Sequence, residues 1–459
     1  MSSTRHLQAA GMQDLLSDPE RESGQLSDIA AQILQQARAG GADACEVSVS
    51  SSLGRNVTLR LGEVDVLEDA RDHGVSVTVY RNRASGSAST ADLRPEALQL
   101  AVEQALAIAR HTQPDPYGGL ADADKMAEKV EDFGVWHPTM LDMDALIERA
   151  GQIERAGLEF DERVDNSEGA SVSADASIGV YANSHGFIGH GRHTRYGQSC
   201  VLVAQDSSGM QRDWDWDDQC RFDRLAAPTA TGRKAAERSV RRLGARKAPS
   251  GKTAVVFDSE MAMGLVRHLV GAVSGGNLYR RSSFLLDTLG QSIFPEWVQI
   301  EEHPHLPGAF HSSSFDAQGV ATRPAALIEQ GVLRRYVLGS YSARKLGLET
   351  TGNAGGVRNL IFRPGADSFE ELLARMGRGL LVTEVMGQGV NLVTGDYSRG
   401  ASGFWVENGE LAYPVEEITI AGNLRDMFGS LRAAGSDLET RRNIQAPSLL
   451  IDGLTVAGQ

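Results

Sequence analysis

Residues 45–80 read CEVSVSSSLGRNVTLRLGEVDVLEDARDHGVSVTVY, and this stretch decides the fold of the amino-terminal part. Apolar Val57, Leu59 and Leu61 alternate in it with polar residues, which is the period-two pattern of a strand with one buried face. The pattern predicts four short strands, at Cys45–Ser51, Asn56–Leu61, Val64–Ala70 and Val75–Tyr80. Hairpin corners are predicted at Leu61-Gly62-Glu63 and Asp72-His73-Gly74.

Helical patterns flank these strands. Ser27 can cap a helix over Asp28–Ala39, and a second helix is predicted over Pro95–Arg110, with proline in its first turn. A helix, several antiparallel strands and another helix make an α+β unit, which is placed at residues 24–112. Residues 1–23 are predicted to be a mobile tail.

A second α+β unit is predicted at residues 120–243, with helices over 143–156 and 229–243 around strands over 170–181 and 191–204. Residues 252–459 are predicted to form a β-rich domain. It opens with the strand Thr253–Phe257 and the helix Ser259–Val273, capped by Ser259, and is glycine-rich and strand-like thereafter. Hairpin turns are predicted at Gln330-Gly331 and Asn408-Gly409. The residues therefore indicate the α+β fold class.

Composition excludes several classes of protein. A chain of 459 residues with 41% apolar content is not disordered, and a net charge of −15 has the wrong sign for binding nucleic acid. No stretch approaches the roughly 18 apolar residues of a membrane span. Residues 1–21 lack the apolar core of a secretory signal, so a cytoplasmic location is expected. The three cysteines, with no Cys-x-x-Cys, predict neither a disulfide framework nor a cysteine zinc site.

Motifs with known chemistry are incomplete in this chain. The sequence SGKT at 250–253 resembles the end of a phosphate loop, but Arg246 stands where the first glycine belongs. Histidines cluster at 185–193 and 303–311 without acidic or thiol partners at ligand spacing, and we interpret them as surface or loop residues. No His-Glu-x-x-His occurs. The residues alone therefore indicate no active site.

Five segments give the chain a resemblance to a known family. They are YANSHGF at 181–187, APSGKTAVVF at 248–257, FDAQGVATR at 315–323, TGNA at 351–354 and DLETRRNIQ at 437–445. Their order and spacing resemble the TldD/PmbA family, and most closely its PmbA branch, also called TldE. The resemblance implies a modulator-of-gyrase fold. In that fold an amino-terminal α/β part has antiparallel strands with flanking helices, and the carboxy-terminal part is rich in curved antiparallel β-sheet.

The same resemblance implies that zinc chemistry belongs to the family but not to this chain. The TldD branch carries His-Glu-x-x-x-His on a helix and a further cysteine ligand near its carboxyl terminus. In this sequence Arg267 stands at the first histidine, His268 at the glutamate and Ala272 at the second histidine, while Ala446 stands at the cysteine. These four are degenerate site positions, and no catalytic or metal-binding residue is expected.

An alignment shifted by one residue changes this little. His268 then becomes a ligand, but Leu269 replaces the glutamate and Val273 the second histidine. One imidazole cannot hold Zn²⁺, because catalytic sites use about three protein ligands. An arginine at a ligand position also repels a dication.

The resemblance therefore implies a metal-free subunit of a cytoplasmic metallopeptidase complex that cleaves unfolded or short peptides. Zinc is expected in a TldD-type partner and no cofactor in this chain, which is expected to form a homodimer when alone. Three alternatives remain open at this point. Arg267 and His268 could bind a peptide carboxylate, the chain could be an independent hydrolase with an unrecognised site, or it could be a non-enzymatic homodimeric peptide-binding module.

Overall fold

A computed structural model describes residues 15–458, which form an amino-terminal and a carboxy-terminal part. The α-helices are α1 Pro19–Ala39, α2 Pro95–His111, α3 Met143–Leu158, α4 Pro228–Arg241, α5 Ser259–Ala272, α6 Gly275–Tyr279, α7 Ser340–Leu346, α8 Phe369–Met376 and α9 Leu424–Gly429. Short 3-10 helices lie at Ala123–Lys125 and Phe222–Arg224. Among the helices of this part of the chain, none combines the length and hydropathy needed to cross a membrane.

The amino-terminal part is built on one antiparallel sheet of six strands. They are β1 Ala44–Arg60, β2 Glu63–Arg81, β3 Ala84–Thr90, β4 Val164–Asn183, β5 Ile188–Asp206 and β6 Gly209–Gln219. Their order in the sheet is β3-β2-β1-β4-β5-β6. The predicted ranges 24–112 and 120–243 thus supply three strands each to a single sheet, which is joined in the middle by β1 and β4.

The strands are longer than the sequence pattern predicted. The four short runs between residues 45 and 80 are two continuous strands, β1 and β2. The corner predicted at Leu61-Gly62-Glu63 is confirmed, since Leu61 and Gly62 have φ angles of 52° and 82°. The corner predicted at Asp72-His73-Gly74 is wrong. These residues stay in register opposite Ser52, Ser51 and Ser50, because the partner strand continues past them and keeps the backbone paired.

Both pairs of helices pack on the same face of this sheet. Cys45, Val47, Val49 and Leu53 of β1 lie in a core beneath α1 and α2, and Val57 and Leu59 lie in a second core beneath α3 and α4. Side chains on alternate positions of a strand share a face, so one strand serves both cores. The opposite face is polar, with Ser48, Ser50 and Ser52 along β1.

Helix α1 begins earlier than predicted. Asp18 rather than Ser27 caps it, by accepting a hydrogen bond from the Arg21 amide at 3.1 Å, and Pro19 follows the cap. Ser27 lies inside the helix, where its hydroxyl donates to the carbonyl of Ser23. Residues 19–23, predicted to belong to the mobile tail, are therefore helical, and residues 1–14 of that tail lie outside the described residues.

Strand β6 was not predicted, because its buried face is acidic. Asp213, Asp215 and Asp217 alternate with tryptophans and are at most 9% exposed. Each of the three carboxylates has a partner in α4 or near it. Arg242 lies 3.1 Å from Asp213, and Lys234 lies 3.1 Å from Asp215. The Ala226 amide donates to Asp217 at 2.8 Å. An alternation of acidic and aromatic residues thus replaces the apolar alternation on which strand prediction depends.

The carboxy-terminal part contains two sheets. Its strands are β7 Gly251–Phe257, β8 Ile300–Glu302, β9 Ala325–Glu329, β10 Val332–Leu333, β11 Leu360–Phe362, β12 Gly379–Met386, β13 Asp396–Glu407, β14 Glu410–Asn423, β15 Leu431–Ala434, β16 Ile444–Gln445 and β17 Leu449–Ala457. The order β14-β13-β12-β7-β17-β15, with β14 also paired to β17, closes the larger and mostly antiparallel sheet into a barrel. The smaller sheet has the order β10-β9-β8-β11-β16.

The predicted fold class is confirmed: the protein is α+β, with a curved, mostly antiparallel sheet in its carboxy-terminal part. The predicted turns at Gln330-Gly331 and Asn408-Gly409 are confirmed, and all four residues have positive φ. All three cysteines are free and buried, as expected for a chain without disulfides. The cap of α5 is corrected from Ser259 to Asp258, whose carboxylate accepts from the Met261 amide.

Helices α3 and α4 cross at two glycines, and this contact yields a stability prediction. A Cβ at Gly232 would lie 1.9 Å from the carbonyl oxygen of Ile153. We expect Gly232→Ala to lower the free energy of unfolding by about 2–3 kcal/mol, the cost typical of overpacking. Gly264→Ala is the matched control, because a Cβ at that position of α5 meets nothing within 4 Å. The control should be neutral or stabilising by up to about 1 kcal/mol, and equal losses in denaturant unfolding would contradict the packing argument.

Candidate functional site

Helix α5 carries three of the four degenerate site positions. Its buried stripe packs into the core between the barrel and the smaller sheet, through residues that include Leu265, Val266 and Leu269. The helix forms here because apolar residues recur at helical spacing after the Asp258 cap. Arg267 points to solvent, and His268 is half-buried.

The four positions fall into two environments. The ring of His268 lies 6.2 Å from that of buried Tyr397 in an edge-on arrangement. Burial, Arg399 and Arg267 all lower the pKa of His268. Ala272 and Ala446 are fully buried in one hydrophobic cluster. The structure therefore brings the helix and the carboxy-terminal segment together, but with methyl groups at two of the positions.

Zinc does not fit the residues present at this position. A catalytic zinc takes about three protein ligands and leaves one position open. His268 is the single imidazole among the four, and Leu269 and Val273 of the shifted alignment are also buried in the core. Within residues 15–458, no three His, Cys, Asp or Glu side chains converge as a metal ion requires.

Ion pairs hold the start of α5 against the amino-terminal part. Glu260 lies 3.3 Å from Arg238 of α4 and 3.6 Å from Arg441, and Arg441 also pairs with Glu439. Arg238 in turn lies 3.8 Å from Asp215 of β6. Arg238 of α4 therefore links the acidic face of β6 to the helix that carries the degenerate positions. The sequence did not indicate this role.

Three of the segments that resemble the family meet at one junction. The ring of Phe187 lies 5.4 Å from that of Phe315 and 6.1 Å from that of Tyr181. Gly319 approaches these rings with a φ of 78°, where a side chain would collide with Phe187. The Ala354 amide donates to the Asp316 carboxylate at 2.8 Å. These segments therefore join the two parts of the molecule.

A cavity of about 510 Å³ lies beside this junction. Its walls come from the start of α1, residues 130–135, β5 and residues 312–315. Arg192 spans its edge, 2.7 Å from Glu20 and 3.3 Å from Asp132. The volume is within the roughly 300–1,000 Å³ that is typical of pockets for small ligands.

Three of the clustered histidines are hydrogen-bonded to other groups of the protein. His185 contacts the Ala121 carbonyl at 3.1 Å, His190 contacts the Ser23 hydroxyl at 2.8 Å, and His305 contacts the Thr322 hydroxyl at 2.9 Å. The Ser23–His190 pair lies in the cavity beside the junction. No carboxylate among the described residues is hydrogen-bonded to the other ring nitrogen, so the pair lacks the third member of a hydrolase triad.

Three family models match successive parts of the chain. Domain 1 of the PmbA/TldA metallopeptidases matches residues 45–109, the central domain residues 136–243, and the C-terminal domain residues 250–458. Together they cover the six-stranded sheet, helix α5 and the barrel.

Relatives of known name match over nearly the whole length. The metalloprotease PmbA of Escherichia coli O157:H7 is 46% identical over 92% of this chain and 93% of its own. A homolog of that protein in Haemophilus influenzae is 43% identical over 97% and 98%. A candidate modulator of DNA gyrase from Bacteroides thetaiotaomicron has a TM-score of 0.90 at 29% identity, over 94% of this chain and 99% of its own. TldE from Thermococcus kodakarensis has a TM-score of 0.83 at 20% identity, over 94% and 100%, and supports the fold alone.

The cap of α5 yields a pH prediction. Burial, with a contribution from Glu260 and Asp437, raises the pKa of Asp258 from 3.8 to about 7. The folded state therefore binds this proton more tightly than the unfolded chain, and ionisation of Asp258 costs stability as the pH rises from 3.8 to about 7. Asn keeps the cap and does not ionise. Asp258→Asn should therefore gain stability over the wild type at about pH 8 and little at about pH 4.

The measurement is denaturant unfolding of both proteins at the two pH values. Asp142→Asn is the control, because it makes the same change at the exposed cap of α3, which binds the Ala145 amide at 2.8 Å. A gain for Asp258→Asn that is equal at the two pH values would contradict the assignment.

Proposed function

The chain belongs to the PmbA/TldD metallopeptidase family, and we propose that it serves there as a metal-free subunit of a peptidase made of two kinds of chain. The observation that carries this proposal is the environment of the four degenerate positions. Arg267 is exposed, His268 is half-buried against Tyr397, and Ala272 and Ala446 are core residues. A metal and its general base would therefore have to come from another chain.

The positive charges around His268 also support a metal-free role for this chain. Arg267 places a positive charge at the position of a ligand, which opposes a dication there. Arg399 adds a second positive charge close to His268. We propose that the zinc and the catalytic residues belong to a TldD-type partner, and that this chain pairs with itself when that partner is absent.

The proposed task of this chain is to hold unfolded or short peptides for the partner. The cavity of about 510 Å³ beside the junction supports this role, because it combines apolar walls with the polar groups Ser23, His190 and Arg192. The net charge of −15 opposes binding to nucleic acid. We propose the cytoplasm as the place of action.

The first test is metal content. The purified chain is expected to hold far less than one zinc per molecule, since the aligned positions offer a single imidazole. Elemental analysis after gel filtration measures this, and the TldD-type partner, purified in the same way, is the positive control. About one zinc per chain that disappears in His268→Ala would overturn the proposal.

The second test is peptide cleavage by four combinations of subunits, in which each chain is either wild type or mutated. This chain alone should not cleave an unstructured peptide, and the mixture with its partner should cleave it in a chelator-sensitive way. Arg267→Ala and His268→Ala should each change the rate less than tenfold, or about 1.4 kcal/mol of barrier, because neither contacts the reacting carbonyl in this proposal. Replacing the partner's metal-ligand histidines should stop the reaction.

Light scattering of the same samples shows whether the two chains associate. Chelator-sensitive cleavage by this chain alone, or a hundredfold loss on His268→Ala, would place the active site in this chain. A stable homodimer that neither binds the partner nor supports cleavage would instead favour a peptide-binding module.

A further inference from the structure

A second cavity, of about 370 Å³, lies where the polar face of the amino-terminal sheet meets two carboxy-terminal loops. The sheet supplies residues 218–220, and the loops supply residues 306–311 and 440–445, with Asn359 between them. It is separate from the cavity beside the junction, with which it shares no lining residue. Arg442 and His311 both face it.

Arg442 is only loosely neutralised in this cavity. Its guanidinium lies over the ring of Trp216, 4.1 Å from the centroid, and its nearest carboxylate oxygen, on Asp218, is 3.7 Å away. Asp218 is more tightly engaged by Arg195, at 2.5 Å. The side chain of Arg442 is 42% exposed. A guanidinium that is stacked, partly exposed and distant from its counter-ion can accept a further anionic partner.

Further cations lie close to the cavity. His311 lines it, and burial together with Arg195, Arg358 and Arg442 lowers the pKa of its ring. The lining itself contains two arginines, Arg441 and Arg442. Arg441 is neutralised by Glu439 and Glu260. Arg442 is therefore the cation of the lining that can engage a further anion.

The rest of the lining indicates which anion fits. Leu306, Pro307 and Phe310 form an apolar wall in the same cavity. A free inorganic ion has no apolar group to place against that wall. The last residue of a peptide, in contrast, presents a carboxylate beside a side chain. Planar guanidinium groups bind carboxylates with two parallel hydrogen bonds.

We propose that this cavity binds a carboxylate of a peptide, with Arg442 as the principal contact and the apolar wall receiving the adjoining side chain. This inference rests on the proposed function, because it specifies how a peptide substrate is held. The carboxylate could be the free terminus or an acidic side chain, and the apolar wall favours the terminus of a chain that ends in an apolar residue.

The test measures binding of fluorescent peptides to the full chain by anisotropy. One peptide ends in a free carboxylate after an apolar residue, the second is its carboxyl-terminal amide, and the third is the amide with one internal glutamate. Arg442→Gln removes the charge and Arg442→Lys keeps it. Arg432→Gln is the matched control, because Arg432 is 45% exposed and 3.6 Å from Asp452, yet lies outside the cavity.

We expect the free carboxylate to bind about tenfold or more tightly than the amide, since hydrogen bonds to charged groups are the stronger ones. Arg442→Gln should weaken binding of the free acid by a similar factor, Arg442→Lys less, and Arg432→Gln not at all. Binding of the glutamate peptide as tight as that of the free acid would keep the site and assign it to acidic side chains. Equal binding of acid and amide, or no effect of Arg442→Gln in a variant with unchanged Tm, would overturn the proposal.

Cleavage with the TldD-type partner separates this inference from the proposed function. If the mixture cleaves peptides while Arg442→Gln binds normally, the carboxylate site is wrong and the subunit role stands. If no mixture cleaves but the discrimination between acid and amide depends on Arg442, the site stands as a binding site and the subunit role is wrong.

Discussion

The contact between Trp216 and two consecutive arginines fixes the relation between the two parts of the molecule. Arg441 and Arg442 both lie over the ring of this β6 residue, 3.9 and 4.1 Å from its centroid. Arg441 also donates to the Trp216 carbonyl and pairs with Glu260 at the start of α5. The start of α5 and the cavity lined by Arg442 both adjoin this contact. Partly buried charge networks contribute little net stability, but they penalise alternative arrangements that would leave a charge unpaired.

Packing holds the helix that carries three of the degenerate positions. Ala272 and Ala446 occupy a hydrophobic cluster shared with Leu265 and Leu269, so dispersion and burial fix this helix in place. The Asp258 cap and the Glu260 ion pairs orient its first turn. In this chain α5 packs into the core through its apolar residues, and the imidazole of His268 is half-buried.

Turns that depend on one residue and its immediate neighbours could be predicted from the sequence. The Gln330-Gly331 turn, the Asn408-Gly409 turn and the Leu61-Gly62 corner follow from single residues and their neighbours. Strand lengths do not follow from single residues. The strands β1 and β2 continue through Ser50–Ser52 and Asp72–Gly74 because these two segments, which are apart in the sequence, pair with each other. The degenerate positions were accessible through the family resemblance alone. Neither cavity was predicted, since each is assembled from several segments that lie far apart in the sequence.

The sharing of β1 and β4 between two cores has a consequence for cooperativity. Each of these strands contributes side chains to the core beneath α1 and α2 and to the core beneath α3 and α4. Opening either core would unzip backbone hydrogen bonds that the other core relies on, so the two are coupled as one unfolding unit. The family-model ranges 45–109 and 136–243 are therefore divisions of sequence and not of folding. Separated at the connection between them, each fragment would expose a full-length strand edge, the feature that drives aggregation.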